Sequence, residues 1–296
     1  MCKVSVIIPT YKDSTRLSKC LRALSEQEYD VDLFEVIVVN NARDEVLPEF
    51  NPVPKNFSAM TETRPGSYAA RNAGLEIASG SIIAFTDSDC IPEKDWLINA
   101  VSLFEGDPSI ERISGPVKIF CKEKDPSVIE LYDTIYAFPQ KKYAENGLGV
   151  TANLFVRKQV FDKVGFFNSD TMSGGDLEWG SRAQKAGSKL KYSDAVIINH
   201  PARDSLKSLF KKARRVGEGQ VIFAKSREGF WDLLLEILRG LKPKIWEIRK
   251  VTEEGSGIEF WKKMFLILIR HMVLWNMDFW RISTKTRIIL SHKIRH

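Results

Sequence analysis

Short continuous runs of β-branched and apolar residues recur through the first ninety positions, each closed by a turn former. Val4–Ile8 ends at Pro9, Val36–Val39 at Asn40-Asn41, and Ile82–Phe85 at Thr86-Asp87. Runs this short, without polar alternation, predict strands covered on both faces. Between them lie stretches with a 3.6-residue apolar period. Ser14 stands where an N-cap belongs, ahead of Leu17, Cys20, Leu21 and Leu24 on one face, and Tyr68–Ala78 reads as a second helix leading through Gly80 to the third strand. Strand, helix, strand in this order is a βαβ unit of a parallel sheet, so residues 1–90 predict a Rossmann-like nucleotide-binding half.

The pattern changes after residue 90. Ile113–Phe120 and Leu154–Val156 read as strands. Gln159–Val164 and Leu177–Lys185 read as helices stopped by Gly165 and Gly187, and Leu190–Ile198 as a strand leading to His200. Residues 91–205 therefore predict an α+β half, which with the first ninety residues forms one domain, 1–205. Beyond it the period is helical over Leu206–Val216, Phe230–Leu241 and Phe260–Trp275, so residues 206–296 predict a basic, aromatic-rich helical extension. There is no internal repeat and no low-complexity segment.

Composition adds bounds. A chain of 296 residues with 44% hydrophobic content can bury one large core, or a core and a smaller appended unit. Cys2, Cys20, Cys90 and Cys121 show neither a pairing pattern nor a metal spacing, and the first strand begins within three residues of Met1 with no signal peptide ahead of it. Both features lead to the expectation of a reducing cytoplasmic compartment. No apolar stretch reaches the roughly 20 residues that span a bilayer; Met264–Ile269 is short and bracketed by Lys262, Lys263 and Arg270. The net charge of +6 is unevenly placed: residues 1–205 hold 24 Lys and Arg against 29 Asp and Glu, and residues 206–296 hold 20 against 9. That tail suits an anionic partner. No nucleic-acid-binding motif accompanies it, which leaves an anionic membrane surface, met by Trp231, Trp246, Trp261, Trp275 and Trp280 among the basic residues, or a packed helical cap. In the first case the protein sits on the inner face of the cell membrane.

The candidate chemistry gathers where strands end. Asp87 and Asp89, one residue apart at the carboxyl end of a buried strand, offer hard oxygen ligands for Mg²⁺ or Mn²⁺ and, through the metal, a diphosphate. Taken alone, the same pair also makes an ordinary turn. Pro9-Thr10-Tyr11 places a backbone edge and an aromatic ring at the same end of the sheet, where a nucleobase can stack. Asn40 and Asn41 offer amides that read a base or begin a turn, and Arg71, on the helix over the sheet edge, is able to reach phosphate. Asp176 stands where a helix N-cap would put its oxygen on the amides of Glu178 or Trp179.

Val-Ser-Val-Ile-Ile-Pro-Thr-Tyr from Val4, Val-Ile-Val-Val-Asn-Asn from Val36, Ala-Arg-Asn-Ala-Gly from Ala70, and Phe-Thr-Asp-Ser-Asp-Cys-Ile-Pro from Phe85 with Trp96-Leu97 together resemble the family 2 glycosyltransferases of the GT-A fold, over about residues 3–205. Gly147–Phe155 with Phe161-Asp162-Lys163-Val164-Gly165-Phe166-Phe167 resembles the acceptor-side segment, and Gly174–Arg182 the Glu-Asp motif. The resemblance implies an α/β GT-A fold and an inverting, metal-dependent transfer from a nucleotide-diphosphate sugar, a UDP-sugar first, to a glycan or lipid-linked acceptor in cell-surface polysaccharide or glycolipid assembly. It implies that Asp87 and Asp89, with Ser88 between them, and His200 hold the donor's Mn²⁺ or Mg²⁺, that Thr10, Tyr11 and Asn40 meet the base, and that Asp176 is the catalytic base. Two positions depart from the family pattern. Asn40 stands where an aspartate is common, and Gly175 where glutamate is usual, so the role of that acid is lost or passes to Glu178. A nucleotidylyltransferase would need a glycine-rich basic loop after the first strand, which Pro9-Thr10-Tyr11-Lys12-Asp13 is not. A non-catalytic anion-binding scaffold would be expected to lose Asp176 or the paired aspartates, and this chain retains both.

Overall fold

The structure, a computed structural model, describes residues 3–42, 54–223, 251, 255 and 257–293. The helix expected over Phe230–Leu241, with Trp231 and Trp246, lies outside the described residues, as does Cys2. The chain divides into two units, residues 1–118 with 138–201, and residues 119–137 with 202–296.

The strands are β1 (Val4–Thr10), β2 (Phe34–Asn40), β3 (Phe57–Thr61), β4 (Ile82–Phe85), β5 (Ile91–Pro92), β6 (Arg112–Ser114), β7 (Val117–Phe120), β8 (Leu154–Arg157), β9 (Leu190–Tyr192) and β10 (Ile198–Pro201). The helices are α1 (Ser14–Ser25), α2 (Ser67–Ile77), α3 (Trp96–Gly106), α4 (Val128–Tyr136), α5 (Gln140–Glu145), α6 (Gln159–Val164), α7 (Gly175–Lys185), α8 (Leu206–Phe223) and α9 (Phe260–Lys293). Seven strands form one sheet in the order β3-β2-β1-β4-β8-β6-β9, and β5-β10-β7 form a second. The four N-terminal strands run parallel, and β8 is antiparallel to both β4 and β6.

The unbroken apolar runs are covered on both faces, as their lack of alternation requires. Val4, Val6 and Ile8 of β1 face a cluster with Leu17, Leu21 and Leu24 of α1 and Trp96 and Leu97 of α3. Ile7, on the opposite side, joins Val39, Phe85, Ala73, Phe161 and Trp179. Helix α2 lies tight on that second face: a Cβ at Gly74 would stand 2.6 Å from Ile7 Cγ2. This close approach sets the height of α2 above the carboxyl ends of β1 and β4.

Four local readings need correction. Ser14 is the first helical residue and not the cap; Asp13 holds that position without a side-chain cap bond, and its carboxylate pairs with Arg16 at 2.7 Å. Ile113–Phe120 is two strands in different sheets, because Pro116 has no N–H to continue a ladder and its carbonyl turns to the Ile198 amide at 3.1 Å. Leu190–Ile198 is likewise broken, by a turn in which the Ala195 amide donates to Ser193 Oγ. The fourth is at residue 176: the N-cap of α7 is Gly174, and Asp176 lies in the helix.

The described residues of the second unit are largely helical. Helix α4 opens with a capping box between Ser127 and Glu130, and Tyr132 packs with Leu209 and Ala213 of α8 and Leu266, Ile269 and Val273 of α9. Arg203 pairs with Asp133 at 3.0 Å and Lys212 donates to the Ala137 carbonyl at 3.1 Å. On α9, every exposed position from Phe260 to Trp280 is apolar: Phe260, Trp261, Met264, Phe265, Leu268, Met272, Trp275 and Phe279. Trp280 is instead half-buried under the Arg214 guanidinium, 3.9 Å from the ring centre. Among the described residues, no helix is long and apolar enough to cross a membrane.

Candidate active site

Strand register brings the candidate residues to one edge of the sheet. Thr10 pairs with Asn40 and Asn40 with Thr61, while Phe85 pairs with Ile7 on one side and Leu154 on the other. Because β8 runs antiparallel, the 3₁₀ turn Thr151–Asn153 precedes Leu154 at the edge where β4 gives way to Thr86-Asp87. In the small sheet Ile198 pairs with Pro92 and Asn199 with Ile91, so one further step sets His200 across from Cys90, beside Asp89.

The acidic pair is surrounded by positive partners. Arg71, almost wholly buried on α2, donates to Asp87 Oδ1, and its guanidinium lies over the Tyr68 ring, 5.5 Å from the centre. Its burial and its carboxylate partner set it apart from a solvated surface arginine. Asp89 Oδ2 lies 3.3 Å from His200 Nε2 and 3.5 Å from Arg16 Nη1. Burial pushes the Asp87 carboxyl above the usual carboxylate range; Asp89 and Asp176 add to that effect, and Arg71 and His200 oppose it. A desolvated pair of carboxylates is costly unless compensated by positive charge.

The donor set suits a divalent cation. Asp87, Asp89 and Cys90 each bring one donor atom within 4.8 Å of the others. Burial holds the Cys90 thiol well above its ordinary pKa, so it stays protonated and is a poor ligand for a hard ion. The imidazole of His200 is better placed: Nδ1 faces the Pro201 carbonyl at 2.7 Å, a contact in which an Nδ1–H donates, and Nε2 lies beside Asp89, where its lone pair would join the carboxylate in holding a cation.

Asp176 is fixed from three directions. Tyr68 Oη donates to Oδ1 at 3.0 Å, the Thr151 amide to Oδ2 at 3.3 Å, and the Leu177 amide to Oδ1 at 3.0 Å. The segment carrying Thr151 is itself anchored through Asn153, which is wholly buried. Its Oδ1 accepts from the Trp96 indole at 3.0 Å, and its Nδ2 donates to the Pro116 and Val196 carbonyls. Gln140 completes the anchor by accepting from the Val150 amide and donating to the Asn153 carbonyl. Such a satisfied buried amide network specifies one geometry.

The remaining residues divide by environment. Pro9, Thr10, Asn40 and Ser88 are buried, and Tyr11 is 62% exposed at the end of β1. Asn40 Oδ1 accepts from the Ala42 amide at 2.9 Å, and the Asn41 amide group binds the Glu62 and Arg64 carbonyls and the Gly66 amide, so both asparagines serve a turn. Glu178 forms a two-point pair with Arg182 at 2.7 and 3.1 Å, an arrangement of α7's own surface. Sequence reasoning missed Arg16, Tyr68 and Thr151. For Tyr68 a signal exists: it is three residues before Arg71 and shares its helix face.

An open, mostly parallel sheet with paired aspartates after β4 and an anchored aspartate at the start of α7 defines a glycosyltransferase of the GT-A fold. Residues 5–165 match the model of "Glycosyl transferase family 2", and the chain belongs to that family. It is similar to glycosyltransferase AglE of Haloferax volcanii, 36% identical over 92% of this chain and 91% of that protein. It is also similar to the dolichyl N-acetyl-alpha-D-glucosaminyl phosphate 3-beta-D-2,3-diacetamido-2,3-dideoxy-beta-D-glucuronosyltransferase of Methanococcus voltae, 23% identical over 78% and 76%. Among solved structures, the mannosyltransferase PcManGT of Pyrobaculum calidifontis, in complex with GDP-Man and Mn²⁺, matches with a TM-score of 0.55 at 20% identity, over 97% of this chain and 85% of that one. S. aureus TarS 1–349, in complex with UDP-GlcNAc, matches with a TM-score of 0.54 at 17% identity, over 96% and 92%. The family answers the alternatives of nucleotidyl transfer and of a non-catalytic scaffold in favour of a glycosyltransferase.

Proposed function

We propose that this glycosyltransferase is inverting and metal-dependent, and that it moves a hexose-type sugar from a nucleotide diphosphate, a UDP-sugar first, to a hydroxyl of a lipid-linked or glycan acceptor in cell-surface polysaccharide or glycolipid assembly. The observation that carries this reading is the rigid placement of Asp176 at the sheet edge that also holds Asp87 and Asp89. Asp176 takes the acceptor's hydroxyl proton as the acceptor oxygen bonds to the anomeric carbon. The bond from that carbon to the phosphate oxygen breaks, its electron pair leaves with the nucleoside diphosphate, and entry opposite the leaving group inverts the centre. Asp87, Asp89 and His200 would hold Mn²⁺ or Mg²⁺, which when bound supplies positive charge to the diphosphate. Arg71 holds Asp87 in place. Thr10 and the exposed Tyr11 ring meet the base, with Asn40 holding the turn beside them, while Pro9 and Ser88 line the donor side. The solved neighbours hold different bases, one GDP and one UDP, so the base is a matter for direct measurement.

The acceptor is proposed to be presented at an anionic membrane surface, where the apolar face of α9 enters the interface. Its exposed residues repeat every three to four positions, which forms one stripe along a helix. Arg270 turns instead into the helical unit, donating to Tyr132 Oη at 3.1 Å, and Lys262 pairs with Asp125 at 2.8 Å, so attraction to anionic headgroups falls to the basic balance of the tail as a whole. The relative in Methanococcus voltae bears a dolichyl N-acetyl-alpha-D-glucosaminyl phosphate in its name, which supports the same reading.

A panel of UDP-, GDP- and dTDP-sugars tests the reaction, with nucleoside diphosphate release followed in the presence of Mn²⁺ or EDTA and early product read by proton NMR. The expected result is turnover of a UDP-sugar that EDTA stops, with the sugar appearing first as the opposite anomer. Retention of the donor's anomeric configuration, or turnover in EDTA, contradicts it.

A further inference from the structure

At residue 175 the family pattern calls for an acid, and the fold leaves no room for one. A Cβ on Gly175 would stand 2.7 Å from Thr171 Oγ1 and 2.8 and 2.9 Å from Cε2 and Cδ2 of Tyr68. The space beside Asp176 is filled by the Tyr68 ring, which is 5% exposed and held by Phe167, with ring centres 5.7 Å apart, and by the Arg71 guanidinium on its other contact. The ring's hydroxyl ends on Asp176 Oδ1, across 108 residues of sequence.

We infer that Tyr68 is the positioning residue of the reaction: it takes the place of the missing acid at residue 175 and, through its hydroxyl, aims the Asp176 carboxylate at the acceptor. The inference rests on Asp176 being the base. The exchange changes the chemistry beside that base. A second carboxylate would bring like charge beside it, whereas the phenol O–H donates a hydrogen bond to it. Burial, and after it the charge of Asp176, push the Tyr68 phenol above its ordinary pKa, so it remains a donor throughout the working range. The contact also fixes orientation. With Oδ1 bound to Tyr68 and Leu177 and Oδ2 to the Thr151 amide, the carboxylate cannot rotate without losing a partner. Removing the hydroxyl would release the orientation, and misplacement costs up to about 10²-fold.

The test is Tyr68→Phe, which deletes one oxygen and keeps the ring in its packing, measured alone and on an Asp176→Asn background. The readouts are nucleoside diphosphate release from the panel sugar that turns over, melting temperature, and calorimetric binding of UDP with Mn²⁺. The expected result is a fall in kcat of about tenfold with KM for the nucleotide sugar and UDP affinity within about twofold, a melting temperature within about 2 °C, and no further fall when Asp176→Asn is already present. A wild-type kcat overturns the inference, as does a loss of equal size on both backgrounds or one matched by a rise in KM or a drop in melting temperature. If Asp176→Asn alone keeps normal turnover, the base assignment fails; if Asp176→Asn is inactive and Tyr68→Phe is not, only the positioning role fails.

Discussion

His200 Nε2 lies 3.3 Å from Asp89 Oδ2 while its Nδ1 faces the Pro201 carbonyl at 2.7 Å. The backbone contact sets the tautomer, and the acceptor nitrogen is presented beside a carboxylate, which makes a mixed nitrogen and oxygen donor set. Asp89→Ala is expected to abolish transfer and weaken nucleoside diphosphate binding, with stability changed by less than about 1 kcal/mol. His200→Ala should lower apparent Mn²⁺ affinity by about tenfold or more. Calorimetric titration of UDP with and without Mn²⁺ reads both. Full-strength, EDTA-insensitive binding by Asp89→Ala would contradict the metal assignment.

The apolar stripe of α9 is expected to bring the protein to vesicles that contain anionic lipid at low salt, and binding should weaken as salt rises. Phe265→Glu with Leu268→Glu, both at exposed positions, should lower co-sedimentation at least about fivefold while the melting temperature stays within about 2 °C. If the intact protein ignores anionic vesicles, the stripe is an interface between protein surfaces, and sedimentation velocity should then show a self-association that the same pair of substitutions disrupts.

Lys212 gives the helical unit a dependence on pH. Burial lowers its pKa to about 7, helped by Arg203, Arg215 and Arg270 and opposed by Asp133. The folded value is below the unfolded one, so the unfolded chain binds more protons between the two. The destabilisation is complete below about pH 7 and is relieved as pH rises toward about 10. Lys212→Met should therefore melt higher than the parent at pH 7, and the gap should close by pH 10. Parallel melting curves across that range would show that the lysine is not desolvated.

Local pattern carried much of this molecule. Val4–Ile8, Val36–Val39 and Ile82–Phe85 are legible as buried strands because both faces of the sheet are covered, and the paired aspartates stand out because they end such a run. What escaped is what register decides. The meeting of His200 with Asp89 depends on the antiparallel pairing of β10 with β5, which also splits the expected strand Leu190–Ile198. The partnership of Tyr68 with Asp176 depends on how closely α2 sits over β1, where Gly74 meets Ile7. Glu178 reads in the sequence as able to replace the acid absent at Gly175, but Arg182, four residues on, holds it in an ion pair. The tryptophans of the tail looked equivalent in sequence, yet Trp261 and Trp275 are exposed and Trp280 packs under Arg214.

The most direct measurement is the turnover of Asp176→Asn beside its affinity for the donor nucleotide. The substitution keeps size and much of the hydrogen bonding to Tyr68 and Thr151 but removes the proton acceptor. The account predicts a fall in kcat of at least about 100-fold, with UDP binding in Mn²⁺ nearly unchanged. Turnover near that of the parent enzyme, with Glu178 already committed to Arg182, would place the base outside this constellation and contradict the mechanism.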